Sequence, residues 1–217
     1  MSRVLRLQVG DAVTLFDGRG AECPAVIMAM TKGTVRLQVA GWQAVDRESP
    51  VPIAIAQGIS SGERMDYTVQ KAVELGAVRI QPISTERSVV HLDAQRAAKR
   101  VAHWQAIAVA ACAQCGRNRV PVVAPVMSLS AWLATVTASA ELKLILSPDG
   151  ARTLHEVERP AHGVWLLCGP EGGLAPVERG DAERAGFEAL RLGPRVLRTE
   201  TAAMAALAAM QALWGDF

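Results

Sequence analysis

From Val4 to Asp46 apolar and polar residues alternate in short segments, among them Ala12–Phe16, Ala25–Met28 and Thr34–Val39. Turn signals at Asp17-Gly18-Arg19-Gly20, Cys23-Pro24 and Lys32-Gly33 separate them, so this stretch is predicted to be a small all-β unit. Arg47-Glu48-Ser49-Pro50-Val51-Pro52 then concentrates charge, Ser and Pro, as a linker does. Beyond Pro52 the period switches to strands alternating with helices, which predicts an α/β layer on a mostly parallel sheet. Strands are expected at Ile53–Gly58, Val78–Pro82, Lys143–Leu146, Val164–Cys168 and Ala189–Leu192. Helices are expected at Glu63–Leu75, with Ser61 as N-cap and Gly76 as stop, at Ala94–Cys115, and at Thr199–Trp214 with Thr199 as N-cap.

Length and composition place the chain among ordinary globular proteins: 217 residues, half of them hydrophobic. The net charge of +2 is too balanced to mark a nucleic-acid binder by bulk electrostatics. The distribution says more. Residues 51 to 140 carry nine basic and five acidic side chains, whereas residues 141 to 217 carry eight and eleven. The central surplus, which includes Arg64, Lys71, Arg79, Arg87, Arg117 and Arg119, fits equally a surface that tracks phosphates and a solvated helix face. No stretch has signal-peptide character or the apolar length of a membrane span, so a cytoplasmic protein without membrane association is expected. The four cysteines form no disulfide framework, and Cys112 and Cys115, late in an apolar helix, read as small packed side chains; no metal site is expected.

Three strand ends carry the candidate chemistry. Val164–Cys168 runs into Gly169-Pro170-Glu171-Gly172-Gly173, whose glycines let backbone approach a ligand, and Pro176 suits the first turn of a following helix. The spacing matches neither a dinucleotide fingerprint nor a P-loop. Leu192–Ala202 is a second strand-to-helix loop, in which Thr199 caps and Glu200 sits where the helix dipole favours an anion. Leu146-Ser147-Pro148-Asp149-Gly150 is a third. Each is ordinary punctuation alone, but converging on one sheet edge they predict a single pocket. The last helix spaces Met204, Leu207, Met210 and Leu213 by threes among many alanines and is uncharged from Thr201 to Gly215, which favours a homodimer packed through it.

The ordered set Gly62–Asp66, Gln70–Gly76, Thr85–Ser88, Gln114–Pro121, Gly169–Gly173 and Leu192–Ala202 resembles the RsmE family of the SPOUT superfamily, bacterial methyltransferases acting on N3 of a uridine in 16S ribosomal RNA. The resemblance covers nearly the whole chain. It implies a PUA-like β-barrel for RNA binding over residues 1–49 and a SPOUT methyltransferase domain over residues 50–217. The fold class is then a knotted α/β protein with a deep C-terminal trefoil knot, a rare exception to the rule against threading.

The resemblance further implies S-adenosyl-L-methionine as cofactor. It would be held by Leu146, Ser147 and Pro148, by Cys168, Gly169, Glu171, Gly172 and Gly173, and by Leu192, Gly193, Leu197, Arg198, Thr201 and Ala202. Uracil N3 must lose its proton to attack the methyl group. Arg198 and Arg117 are therefore candidates to stabilise the uridine anion and Glu200 to take the proton or orient an arginine. Arg3, Arg6, Arg64, Lys71, Arg87, Arg117 and Arg119 are the candidate RNA contacts, with 16S rRNA inside the 30S subunit the expected partner. Departures from the family pattern are a start almost at Val4-Leu5-Arg6, from which a trimmed or incomplete barrel is expected, Ser61 where Lys is usual, Ala110 and Ala113 in place of acidic residues, and Ala175 in place of a common Ser. Two rival readings, a non-catalytic RNA-binding protein and a nucleotide-binding metabolic enzyme, are opposed by the intact glycine and arginine loops and by the β unit respectively.

Overall fold

The computed structural model describes residues 7–90 and 92–217. They divide into two compact units: the residues up to Arg47 with Gly116–Val120, and Glu48–Cys115 with Pro121–Phe217.

The first unit holds β1 (Ala12–Phe16), β2 (Ala21–Thr31), β3 (Thr34–Val39) and β4 (Gln43–Ala44), an antiparallel sheet in the order β1-β2-β3 with β4 also on β2. Cys23, Ala25 and Ile27 point inward while Pro24, Val26 and Met28 are exposed, the alternation of a sheet with one solvated face. Cys23-Pro24, a turn in the sequence reading, lies inside β2 instead. Its partners explain why: β4 pairs at Ala21–Glu22 and β3 only from Ala25 on, so Pro24 sits in a gap on that side, where no amide hydrogen is demanded. Asp17 Oδ1 closes the first turn by accepting from the Arg19 and Ala21 amides at 2.7 and 3.1 Å. Arg47 pairs with Glu22, so the supposed linker begins as part of this unit. Gly116–Val120 joins it through the Gly20 amide on the Asn118 carbonyl, the Val120 amide on the Gly18 carbonyl, and Asn118 Nδ2 on the Val45 carbonyl at 2.7 Å. Nothing in the local sequence announces that return.

The second unit opens with β5 (Ile53–Gly58), α1 (Glu63–Glu74), β6 (Ala77–Ser84) and α2 (Ala94–Cys115). It continues through β7 (Val122–Val123), β8 (Met127–Ser128), α3 (Leu129–Val136), β9 (Leu142–Leu146) and β10 (Arg152–Thr153). A 3-10 turn at Leu154–Glu156 leads to β11 (Val164–Cys168), α4 (Pro176–Arg184), β12 (Glu188–Arg191) and α5 (Thr199–Trp214). The sheet is parallel, ordered β10-β12-β9-β11-β5-β6-β7 with β8 on β6. β5, paired on both sides, is buried at every residue, which is why it reads as a continuous apolar run.

On one face of the sheet Ala54, Ala56, Trp165 and Leu167 meet α3 and α4, with Trp132 set edge-on to Trp165 at 5.2 Å and tilted against Phe187 at 5.6 Å. On the other, α1 packs against α2 and α5, and α5 also reaches β11. The buried stripe of α5 is Ala203, Ala206, Leu207, Met210, Gln211 and Trp214, a 3.6-residue period. The expected step of three drifts off it: Leu207 and Met210 are buried, but Leu213 is 45% exposed. Both helix caps differ from expectation. Gly62 rather than Ser61 occupies the N-cap of α1, and Arg198 rather than Thr199 that of α5, because the Ser61 and Thr199 hydroxyls are engaged elsewhere.

Candidate active site

The carboxyl ends of β9, β11 and β12 surround a cavity of about 620 Å³, the place and size expected of a ligand site in an open parallel sheet. Ile145 to Asp149 form one wall, Cys168 to Leu174 a second, and Leu190, Leu192, Gly193, Arg195 to Glu200 and Ala202 most of the third. Arg64 of α1 and Arg179 of α4 complete the lining. Apolar side chains from Ile145, Leu146, Leu190, Leu192 and Leu197 thus share the space with four arginines and the carboxylates of Asp149, Glu171 and Glu200.

The wall after β11 is braced from several directions. Glu171 Oε1 accepts from the Ser61 amide at 2.8 Å, the Ser61 hydroxyl at 2.9 Å and Arg64 Nη1 at 2.8 Å. Partial burial raises this carboxyl's pKa, but the Ser61 amide and hydroxyl and the Arg64 guanidinium outweigh it and bring it down to about 2. The positive charge here comes from Arg64, one turn after Ser61. Arg87 Nη1 donates to the Gly172 carbonyl at 3.3 Å. A Cβ on Gly58 would stand 2.5 Å from Pro170 N, so the end of β5 can lie under this loop only as glycine. Glu178 closes the far side: Oε2 accepts from the Ala175 amide at 3.0 Å and Oε1 from the Glu86 amide at 2.8 Å. Ala175 sits at the N-cap of α4 without a capping side chain, and Glu178 supplies the reciprocal half of the cap.

A buried clasp joins this wall to the next. Gln57, fully buried on β5, directs Nε2 at Thr199 Oγ1 at 2.9 Å and at the Gly58 and Gly169 carbonyls at 3.0 and 3.2 Å. Thr199 Oγ1 donates to the same Gly169 carbonyl at 2.5 Å. By contrast, Gly193–Leu197 makes no hydrogen bond or ion pair with other described residues, and Gly193 adopts φ +83. Burial pushes the Cys168 thiol up, so it serves as wall rather than nucleophile.

The structure brings together Leu146, Ser147, Pro148, Cys168, Gly169, Glu171, Gly172, Gly173, Leu192, Gly193, Leu197, Arg198 and Ala202 around this one cavity, with Glu200 beside them. Thr201 does not line it: two residues past Thr199 it has rotated to an exposed face of α5, while Ala202 returns to the cavity side. Arg117, 7% exposed, belongs to the first unit, as does Arg119. Arg64 and Arg87 are bound to the glycine loop, and Lys71 pairs with Glu74 at 2.8 Å. Arg3 and Arg6 lie outside the described residues. Gln57, Thr199 and Arg179 were not singled out as site residues. A glutamine ending the apolar run Ile-Ala-Ile-Ala was the one available signal for Gln57. Among the described residues no group of three or more His, Cys, Asp or Glu is placed to hold a metal ion, and no helix is long and apolar enough to cross a membrane.

Comparison with known proteins adds identity to this geometry. Residues 47–211 match the RNA methyltransferase domain family and residues 1–40 the RNA methyltransferase PUA domain family. Ribosomal RNA small subunit methyltransferase E of Buchnera aphidicola is 31% identical over all of this chain and 85% of its own length, and that of Bacillus subtilis 31% identical over 95% and 84%. The crystal structure of the Neisseria gonorrhoeae ribosomal RNA small subunit methyltransferase E, bound to S-adenosyl methionine, superposes with a TM-score of 0.92 at 44% identity, covering 100% of this chain and 89% of that one. On this likeness over its full length, the chain belongs to the ribosomal RNA small subunit methyltransferase E family.

Proposed function

We propose that this protein transfers the methyl group of S-adenosyl-L-methionine to N3 of a specific uridine in 16S ribosomal RNA of the small subunit. The observation that carries this reading is the convergence of three strand-end loops on one mixed apolar and charged cavity in a chain of this family. The lining suits the cofactor: leucine and isoleucine side chains for an adenine face, and arginines beside carboxylates for a zwitterionic amino-acid end. Leu146, Ser147, Pro148, Cys168, Gly169, Glu171, Gly172, Gly173, Leu192, Gly193, Leu197, Arg198 and Ala202 would hold it. It supplies a methyl group on a sulfonium, ready for in-line attack.

The chain's own task is to prepare the uridine. Loss of the N3 proton leaves an anion that a cation at the cavity rim stabilises, and Arg198, exposed on the cavity wall, is that cation. Glu200, two residues on, accepts the proton or orients Arg198. Arg117 is the second candidate cation, which would meet Arg198 across the dimer. RNA binding belongs to residues 1–49, a small PUA-like barrel, together with Arg117 and Arg119, and methyl transfer to residues 50–217. The sheet order, with β12 between β10 and β9 and the last helix packed on α1 and β11, supports a trefoil knot in the C-terminal part. The outer face of α5, with Ala212 and Leu213 exposed, supports a homodimer formed through that helix.

The test is methylation in vitro. 30S subunits and free 16S RNA from a strain lacking the modification are incubated with the protein and labelled cofactor, and the product nucleoside is identified by mass spectrometry. N3-methyluridine at one position of the 30S substrate is expected; label at another atom or on no RNA contradicts the reading.

A further inference from the structure

We propose that Gln57 is a positioning residue for the cofactor cavity, acting through Thr199 to hold the loop after β11 in register with the opening of α5. The inference rests on the reading of the cavity as the S-adenosylmethionine site. A primary amide has two hydrogens, and Gln57 Nε2 faces three acceptors. One hydrogen goes to the Thr199 hydroxyl, which spends its own hydrogen on the Gly169 carbonyl, and the other is shared between the Gly58 and Gly169 carbonyls. The result is a closed triangle in which Gly169 and Thr199, thirty residues apart in sequence, are tied to each other and to the central strand β5. Gly169 opens one wall and Thr199 ends the other.

Packing does not require an amide here. Gln57 Oε1 is buried with no hydrogen-bond partner, an unfavourable feature that a methionine of similar volume would avoid. The position therefore carries a cost to stability whose return is the clasp. Because the loop from Gly193 to Leu197 has no anchor of its own among the described residues, Thr199 is where the third wall is referred to the sheet. Without the triangle the two walls remain folded but lose their mutual spacing, which weakens ligand binding more than it slows transfer from bound ligand.

The experiment compares wild type, Gln57→Met, Thr199→Val and Thr199→Ser as full chains. Their dissociation constants for S-adenosylmethionine come from calorimetry, KM and kcat from methylation of 30S subunits, and Tm from scanning calorimetry. Gln57→Met and Thr199→Val are each expected to raise the dissociation constant and KM about tenfold, with kcat at saturating cofactor changed by no more than about threefold. The double variant is no worse than either single one, since both break one triangle. Thr199→Ser, which keeps the hydroxyl, stays within about twofold of wild type. A purely structural role lowers Tm and leaves the dissociation constant in place, and that result overturns the proposal, as does a Thr199→Ser variant as weak as Thr199→Val. If Gln57→Met does not fold, the Thr199 pair decides alone, because that side chain is only half buried. A folded wild type that fails to bind S-adenosylmethionine rejects the cavity reading itself, and the clasp with it; a binding wild type with an equally tight Thr199→Val rejects the clasp only.

Discussion

The loops after β11 and β12 wall the same cavity in different ways. Gly169–Gly173 is held by Gln57, Ser61, Arg64 and Arg87, each from an element outside the loop, and continues into a helix start secured by Glu178. Gly193–Leu197 has glycine at a positive φ, Val196 at 80% exposure and no bond to other described residues between its ends. One wall is pre-organised by the scaffold, and the other takes its position from its two anchors. The braced wall suits recognition that must be in place before the ligand arrives, and the unbraced wall carries Arg198, the group assigned to the charge that develops only during reaction.

Arg198→Ala breaks this division most visibly. It is expected to lower single-turnover methylation at saturating cofactor by roughly 10²–10³-fold, a larger loss than the accompanying rise in the dissociation constant for S-adenosylmethionine; Arg198→Lys recovers part of the rate. Unchanged rates in both Arg198→Ala and Arg117→Ala contradict the assignment of the cation.

On the braced wall, Glu171→Gln has the next largest effect, and it appears in stability. The folded-state pKa of Glu171, about 2, lies below its ordinary 4.5, so its stabilisation is complete above 4.5 and fades as pH falls toward 2. Wild type therefore melts higher than Glu171→Gln at pH 6, and the two Tm values converge only as pH falls through about 2. A gap that persists at low pH would assign the effect to packing instead.

Smaller effects sharpen the comparison. Ala175→Ser completes the half-cap already made by Glu178 and is expected to add about 1 kcal/mol to stability in denaturant titration. Val196→Ala, on the unbraced wall, shifts stability by less than about 0.5 kcal/mol. A loss as large as that of a core truncation would mean that this loop is packed after all.

Most of this frame was legible in the sequence, for reasons visible in particular residues. The bounds of β5 and β11 were legible because burial leaves mostly apolar runs closed by a turn signal, and α2 and α5 were legible as helices to within about a turn. The cavity was legible because glycine and proline mark chain that turns tightly at strand ends. What stayed hidden depends on contacts between distant segments. Gly116–Val120 returns to the first unit through two backbone bonds and the Asn118 side chain, none of which has a local sequence signal. Pro24 is a strand residue only because β3 and β4 leave a gap beside it. Ser61 and Thr199 look like N-caps by local chemistry, yet Glu171 and Gly169 are better-placed partners. Arg64 and Arg87 counted toward a basic surface, while their guanidinium groups are committed to the glycine loop.

The central claim, that this cavity is a methyl-donor site, is tested most directly by isothermal titration of the purified chain with S-adenosylmethionine and, in parallel, with ATP and NAD. Saturable binding of S-adenosylmethionine with no heat from the other two is the predicted result. A folded sample that ignores S-adenosylmethionine, or that binds ATP or NAD more tightly, contradicts the account.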